Sequence, residues 1–192
     1  MTDFSAYNLN EVLNKSLKNI NFKSPTPIQE KSIPLILKGN DILGSAQTGT
    51  GKTAAFCIPI LELLMKSSRG SLLVMIPTRE LAKQVLDVID SLLGFKSSIN
   101  TATLIGGESM SKQLSELKKR PRIYVGTPGR INDHLQRGSL NLHDAKYLVL
   151  DETDRMLDMG FEVQINKIIK FLPKTKQVLM FSATIPDNIL KL

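Results

Sequence analysis

The stretch Ser45-Ala46-Gln47-Thr48-Gly49-Thr50-Gly51-Lys52-Thr53 constrains this chain more than any other. It joins an apolar strand candidate, Asp41-Ile42-Leu43-Gly44, to a helical pattern that begins Ala54-Ala55-Phe56-Cys57-Ile58. Glycines between a strand and a helix let successive backbone N–H groups turn inward and approach a phosphate, and the helix start adds free donors and a positive dipole end. At this spacing Lys52 supplies a point charge for the terminal phosphates and Thr53 a hydroxyl for Mg²⁺. Ala46 stands where the general pattern opens with glycine, and a methyl group is accepted there if φ is negative. Ala46 to Thr53 therefore predicts a triphosphate cradle with a strand before it and a helix after it.

A chain of 192 residues, 42% apolar and 22% charged, is long enough for one well-buried globular domain. No apolar run approaches the ~20 residues of a membrane span. The opening Met1-Thr2-Asp3-Phe4-Ser5 lacks the basic and apolar regions of a signal peptide. A single cysteine, Cys57, forms no internal disulfide, so a reducing cytoplasm is the expected compartment. Cys57 sits in the helix after the cradle, where buried filler is the expectation rather than a nucleophile. His134 and His143 have no metal-ligand spacing, so any metal is expected to arrive with the nucleotide. The formal charge of +7 suits a nucleic-acid partner without requiring one. No repeat or low-complexity linker divides the chain.

Leu9, Val12, Leu13, Leu17 and Ile20 recur at helical spacing behind Asn8 and Asn10, either of which can cap. Thr26 reads as the N-cap of a second helix, Pro27 as its first residue and Gln29 as the far half of a capping box; the helix runs to Leu37 or Lys38, with Gly39 beyond it. Strands and helices then alternate. Strands are expected over Ser71 to Ile76, Asn100 to Ile105, Arg122 to Val125, Tyr147 to Leu150 and Gln177 to Phe181. Helices are expected over Arg79 to Leu93, Met110 to Leu117, Gly129 to Gln136, Val163 to Phe171 and from Asp187 to Leu192. Apolar strands separated by helices predict an α/β fold, a parallel sheet sandwiched between helices. Ligands of such sheets gather at the carboxyl ends of the strands. Thr53, Pro77, Gly106, Thr127, Asp151 and Ser182 all fall at or just past those ends, so the polar motifs share one rim.

Asp151-Glu152 follows an all-apolar strand, where a P-loop enzyme carries its second acidic motif. Mg²⁺ takes oxygen ligands in octahedral geometry and keeps several waters, which one carboxylate, one hydroxyl and phosphate oxygens can satisfy. Asp151 is the candidate carboxylate, directly or through a water, and Glu152 the candidate acceptor of a proton from the attacking water. The alternative is a plain acidic turn after a buried strand.

With these motifs in place the chain resembles the DEAD-box RNA helicases, specifically their first RecA-like domain, over nearly its whole length. Phe22, Pro25 and Gln29 match the family's Q motif, with Phe4 at the upstream aromatic position. Ala46 to Thr53 matches motif I, including the alanine. Pro77-Thr78-Arg79-Glu80-Leu81-Ala82 matches motif Ia, Gly106-Gly107 the GG motif and Thr127-Pro128-Gly129-Arg130 motif Ib. Asp151-Glu152-Thr153-Asp154 stands where the family name is spelled, and Ser182-Ala183-Thr184 matches motif III. The resemblance implies a P-loop NTPase fold and ATP with Mg²⁺ as cofactors. It implies that Gln29 reads the adenine edge and Phe22 stacks on the base, a role hard to combine with capping. Lys52 and Thr53 would bind phosphates and Mg²⁺, Asp151 the metal, and Glu152 would activate water. Asp154, Ser182 and Thr184 would couple the nucleotide site to RNA. Arg79, Gly107, Thr127 and Arg130 would hold the RNA backbone without reading bases. The local alternatives are an N-cap for Thr127 and surface pairing for Arg79 and Arg130.

Two residues depart from the family pattern. Thr153 replaces the usual alanine, and if it packs among apolar neighbours its hydroxyl needs a partner. Asn21 replaces a glycine, and Asn also tolerates left-handed backbone. The resemblance implies one domain over 1–192, with a Q-motif region at 1–29 and a core at 30–192. The family's second RecA-like domain, which carries arginines reaching the γ-phosphate, is absent from the sequence. The expectation is an ATP-binding domain, monomeric, that works on RNA when joined to that second domain. A nucleic-acid-binding module with a vestigial nucleotide site is the alternative. A GTPase-type switch would want an Asn-Lys-x-Asp guanine reader, and neither Asn14-Lys15 nor Asn166-Lys167 is followed by that aspartate. A DNA translocase is disfavoured by the resemblance alone.

Overall fold

In the computed structural model, which describes residues 3–94 and 97–185, the five apolar runs and the segment before the cradle become six parallel strands. They are β1 (Ile42–Ser45), β2 (Ser71–Met75), β3 (Thr101–Leu104), β4 (Ile123–Gly126), β5 (Ala145–Asp151) and β6 (Gln177–Ser182). Their order is β1-β6-β5-β2-β4-β3, with register pairs Ser45 to Ser182, Asp151 to Phe181 and Val74 to Val149. Because every pairing is parallel, all six carboxyl ends lie on one rim.

Successive strand residues face opposite sides of the sheet, and β2, buried along its whole length, feeds both. Leu72 and Val74 join a core with Leu13, Ile33, Phe56 and Ile89. These come from α1 (Glu11–Asn19), α2 (Pro27–Leu37), α3 (Lys52–Lys66) and α4 (Arg79–Leu93). Leu73 and Met75 join a second core with Ile131, Met156 and Ile165. The helices behind that face include α6 (Pro128–Gln136), α7 (Thr153–Asp158) and α8 (Glu162–Ile169), while α5 (Met110–Lys118) lies against β3. Both faces are covered, the sandwich expected of continuous apolar strands.

The capping choices left open by the sequence resolve. Asn10 caps α1, its side chain accepting from the Leu13 N–H at 3.0 Å, whereas Asn8 takes a left-handed turn after a short 3₁₀ helix, Phe4–Tyr7. Pro27 opens α2, and Gly39 follows its end with φ of +84°. Asn21 is also left-handed, at φ +57°, the conformation that lets it replace glycine. Three differences from the expected boundaries matter. β4 starts at Ile123, one residue later than expected, after Arg122, whose guanidinium donates to the carbonyls of Leu64, Arg69 and Gly70. The helix α7 was not expected, because a left-handed residue, Glu152, separates it from the strand. And α8 ends at Ile169, short of Phe171. The helix expected from Asp187 lies outside the described residues. No helix among the described residues is long and apolar enough to cross a membrane.

Candidate functional site

The loop leaving β1 turns back through Gly49 and Gly51, at φ +83° and +89°, values that disfavour any side chain. Ala46 is not among the residues with positive φ, so its methyl is tolerated. Gln47, Thr48, Gly49 and Thr50 are exposed, and α3 starts at Lys52 with no side chain capping it, leaving its first N–H groups free. Below this mouth Lys52 is 7% exposed, and its ammonium donates to the Ala46 carbonyl at 2.8 Å. Thr50 Oγ1 donates to the Gln47 carbonyl, and Thr53, in the first turn of α3, is half-buried.

Asp151, the last residue of β5, is equally buried at 7%. Burial pushes its carboxyl up to about 6; the Lys52 charge opposes that rise, while Glu152 and Asp154 add to it. The charges of Lys52 and Asp151 thus act on each other across one intervening strand, β6. The Asp151 charge also reaches Cys57 on α3, whose thiol is raised first by burial and then by that carboxylate, leaving it inert filler as expected.

Glu152 breaks the strand at φ +53°, ψ +49°, a conformation that costs a non-glycine residue about 1–3 kcal/mol and is found at functional turns. Its N–H donates to Asp151 Oδ1 at 3.0 Å, and its carboxylate accepts from Arg155 at 3.2 Å. Thr153 is fully buried, and its hydroxyl finds the partner it needs, donating to the Leu150 carbonyl at 3.1 Å with the Phe181 carbonyl at 3.3 Å. Asp154 reaches the end of β6. Its Oδ2 accepts from the N–H of Ala183 and from both the N–H and hydroxyl of Thr184, and its own N–H donates to Ser182 Oγ. Burial alone would raise the Asp154 carboxyl; the Thr184 N–H and the Ser182 hydroxyl outweigh it and hold the group below its ordinary value.

Gln29 is 2% exposed and does more than cap. Its Oε1 accepts from the Thr26 N–H at 3.0 Å, completing one half of the capping box, and its Nε2 donates to the Gly51 carbonyl at 3.1 Å. The reciprocal half is looser: Thr26 Oγ1 faces the Gln29 N–H but is left buried without a hydrogen bond. One side chain therefore serves the cap and the cradle together, and a Cβ on Gly51 would lie 2.5 Å from Gln29 Nε2. Phe22 packs on Phe4, ring centroids 6.2 Å apart.

Further along the rim, Arg79, Gly107 and Thr127 line one cleft of about 470 Å³ with Met159 and Phe161, two residues the sequence reading did not single out. Arg79 Nη1 donates to the Gly106 carbonyl at 3.2 Å, and no ion pair engages it among the described residues. Gly107, at φ +75°, lies so close to Arg79 that a Cβ would sit 1.8 Å from Nη1. Thr127 holds the N-cap position of α6 yet makes no side-chain cap, so its hydroxyl is not spent there. Arg130 stands outside the cleft, donating to the Glu108 carbonyl at 3.3 Å and lying 3.9 Å from Asp133.

The DEAD/DEAH box helicase family description matches residues 26–192. The chain is 48% identical over 190 residues to the ATP-dependent RNA helicase CshA of Listeria monocytogenes, covering 98% of this chain and 36% of that protein. It is 46% identical to the DEAD-box ATP-dependent RNA helicase RhpA of Helicobacter pylori, covering 98% and 38%. The crystal structure of a DEAD box protein from the hyperthermophile Methanococcus jannaschii superposes with a TM-score of 0.93 at 44% identity, over all of this chain and 52% of that one. The chain thus spans little more than a third of those two relatives. An ordered series of motifs, one parallel sheet that gathers them on one rim, and these matches lead to one statement: the chain belongs to the DEAD/DEAH box helicase family.

Proposed function

We propose that this chain is the first RecA-like, ATP-binding domain of an RNA helicase, holding ATP–Mg²⁺ in the Ala46–Thr53 cradle and the RNA backbone at Arg79, Gly107, Thr127 and Arg130. The observation that carries the reading is the meeting of Lys52 and Asp151 charges beneath an exposed glycine loop and an uncapped helix start. The names of the relatives, ATP-dependent RNA helicases, support the same substrate pair. The donors present suit Mg²⁺: Asp151 and the Thr53 hydroxyl offer hard oxygen, and no cluster of three His, Cys, Asp or Glu exists among the described residues to cage a metal without phosphate. When bound, Mg²⁺ supplies charge neutralisation on the terminal phosphates.

Within that reading Lys52 exchanges the Ala46 carbonyl for a phosphate oxygen. Glu152, aimed by its left-handed turn and steadied by Arg155, accepts the proton of the attacking water. Gln29 keeps one N–H and one lone pair beyond its present bonds, the valence that an adenine edge requires. Asp154, bonded to Ser182 and Thr184, makes the end of β6 move with the acidic turn. A second RecA-like domain in a longer chain would add the arginine contribution worth about 10³–10⁵ in related phosphoryl transfer, so this chain by itself hydrolyses ATP poorly. The protein is a monomer of the cytoplasm, a placement supported by its lone buried thiol.

Titration with a labelled ATP analogue tests the reading. Lys52→Ala is expected to weaken binding by at least about tenfold, the equivalent of one charge-assisted hydrogen bond. Equal binding by parent and variant would leave a nucleic-acid-binding module with a vestigial site.

A further inference from the structure

Behind the rim lies a buried polar chain that the roles above do not use. His134, on α6, is fully buried, and Gln113, on α5, is 1% exposed. Gln113 Nε2 donates to the Ile105 carbonyl at 2.8 Å. Only the amide nitrogen can make that bond, so Oε1 is the atom that faces His134 Nε2, at 2.9 Å. The imidazole must then carry its proton on Nε2 and donate it to Gln113. Its Nδ1 lies 2.9 Å from Ser139 Oγ, and that hydroxyl also lies 3.0 Å from the His134 carbonyl, so Ser139 holds the other side of the ring.

Ile105 immediately precedes the Gly106-Gly107 turn, and that turn is tied down at three carbonyls. Ile105 is held by Gln113, Gly106 by Arg79 and Glu108 by Arg130. The two arginines are exposed or partly exposed cations, and each is free to exchange its carbonyl for a phosphate. The Gln113 tie is buried and neutral, so a nucleic acid cannot compete for it. It is the one of the three shielded from exchange.

We propose that His134 is a positioning residue of the RNA face: through Gln113 it fixes the Gly106-Gly107 turn against α6, so that Gly107, Thr127 and Arg130 keep their spacing when the arginines turn to phosphate. This rests on the RNA reading of that rim. An unsatisfied Gln113 carbonyl oxygen in the interior is unfavourable, so removing the imidazole donor drives the amide to rotate and releases Ile105.

The test measures binding of a labelled ten-nucleotide oligouridylate, nucleotide binding and amide hydrogen exchange at Gly106 and Gly107, on the parent and on His134→Phe, His134→Gln and Arg130→Ala. His134→Phe is expected to speed exchange at both glycines about tenfold or more and to weaken RNA several-fold, with nucleotide affinity unchanged. His134→Gln, whose amide N–H reaches where Nε2–H stood, restores both. If His134→Phe does not fold, Gln113→Glu still accepts from His134 but cannot donate to Ile105, and is expected to give the same loss. Unchanged exchange and RNA affinity in the folded His134 or Gln113 variant, while Arg130→Ala weakens RNA, would overturn the positioning role and leave the RNA reading standing. No RNA binding by the parent would overturn both.

Discussion

The two rims of the sheet are built on opposite terms. At the amino ends of the strands, polar side chains close on nearby backbone. Arg122 donates to three carbonyls, Gly70 at 2.9 Å, Leu64 at 3.0 Å and Arg69 at 3.1 Å. Gln177 donates to the carbonyls of Ile36 and Asn40, Asp41 accepts from the Val178 N–H, and Asp144 accepts from the Ser71 hydroxyl. At the carboxyl ends α3 and α6 start without side-chain caps, and a carboxylate is buried against its own preference. One rim satisfies its polar groups and the other keeps donors and charge in reserve, the pattern expected where ligands bind at strand carboxyl ends.

That contrast predicts opposite responses to mutation. The largest effect is expected at Asp151→Asn. Metal-dependent nucleotide binding should fall about a hundredfold, ~2.7 kcal/mol by titration calorimetry, while the metal-free protein becomes more stable at neutral pH. The sign follows from the raised carboxyl. Its folded value of about 6 lies above the unfolded one, so the native state holds the proton more tightly. The resulting stabilisation is fully present below the unfolded value near 4 and is lost as pH rises through about 6. Asparagine mimics the protonated acid, so denaturant melts in EDTA should show the variant overtaking the parent across that interval. A variant less stable than the parent at pH 7 would remove the distinction between the rims.

Arg122→Ala is expected to do the reverse. Loss of one guanidinium shared by three carbonyls should lower stability by about 2–3 kcal/mol in urea unfolding, with nucleotide affinity unchanged in the folded fraction. The smallest effect is expected at Thr153→Ala, which gives up one buried hydroxyl bond within the acidic motif: about 1 kcal/mol of stability or less, and no change in nucleotide binding. A larger functional loss there would mean that the Thr153 hydroxyl bridging Leu150 and Phe181 sets the position of Asp151 and Asp154.

What the sequence discloses follows the range of the interaction. The cradle was legible because its glycines, lysine and threonine are contiguous and their backbone demands are local. Strands declared themselves as apolar runs, and helices through the choice of Asn8 or Asn10 and through Thr26, again by local rules. The second function of Gln29 was hidden, since capping is visible at a spacing of three while the bond to Gly51 spans 22 positions. Arg122 read as the first residue of a strand because nothing in its neighbourhood announces carbonyls from α3 and the loop after it. His134 showed only that it lacked metal-ligand spacing, and its pairing with Gln113 depends on two helices packed by the second core. The short α7 escaped because six residues carry too little periodicity, and because the left-handed turn before it falls on a glutamate rather than a glycine.

The placement of β6 between β1 and β5 has a consequence for how the site can evolve. Two inter-strand steps of about 4.8 Å separate the cradle from the acid, and Ser45 opposite Ser182 with Asp151 opposite Phe181 lock that interval in peptide geometry. Side-chain replacements around the nucleotide can change affinity or rate but leave this gauge untouched. Altering it would take a slipped or exchanged strand, and a slip of one residue would turn Phe181 out of the core.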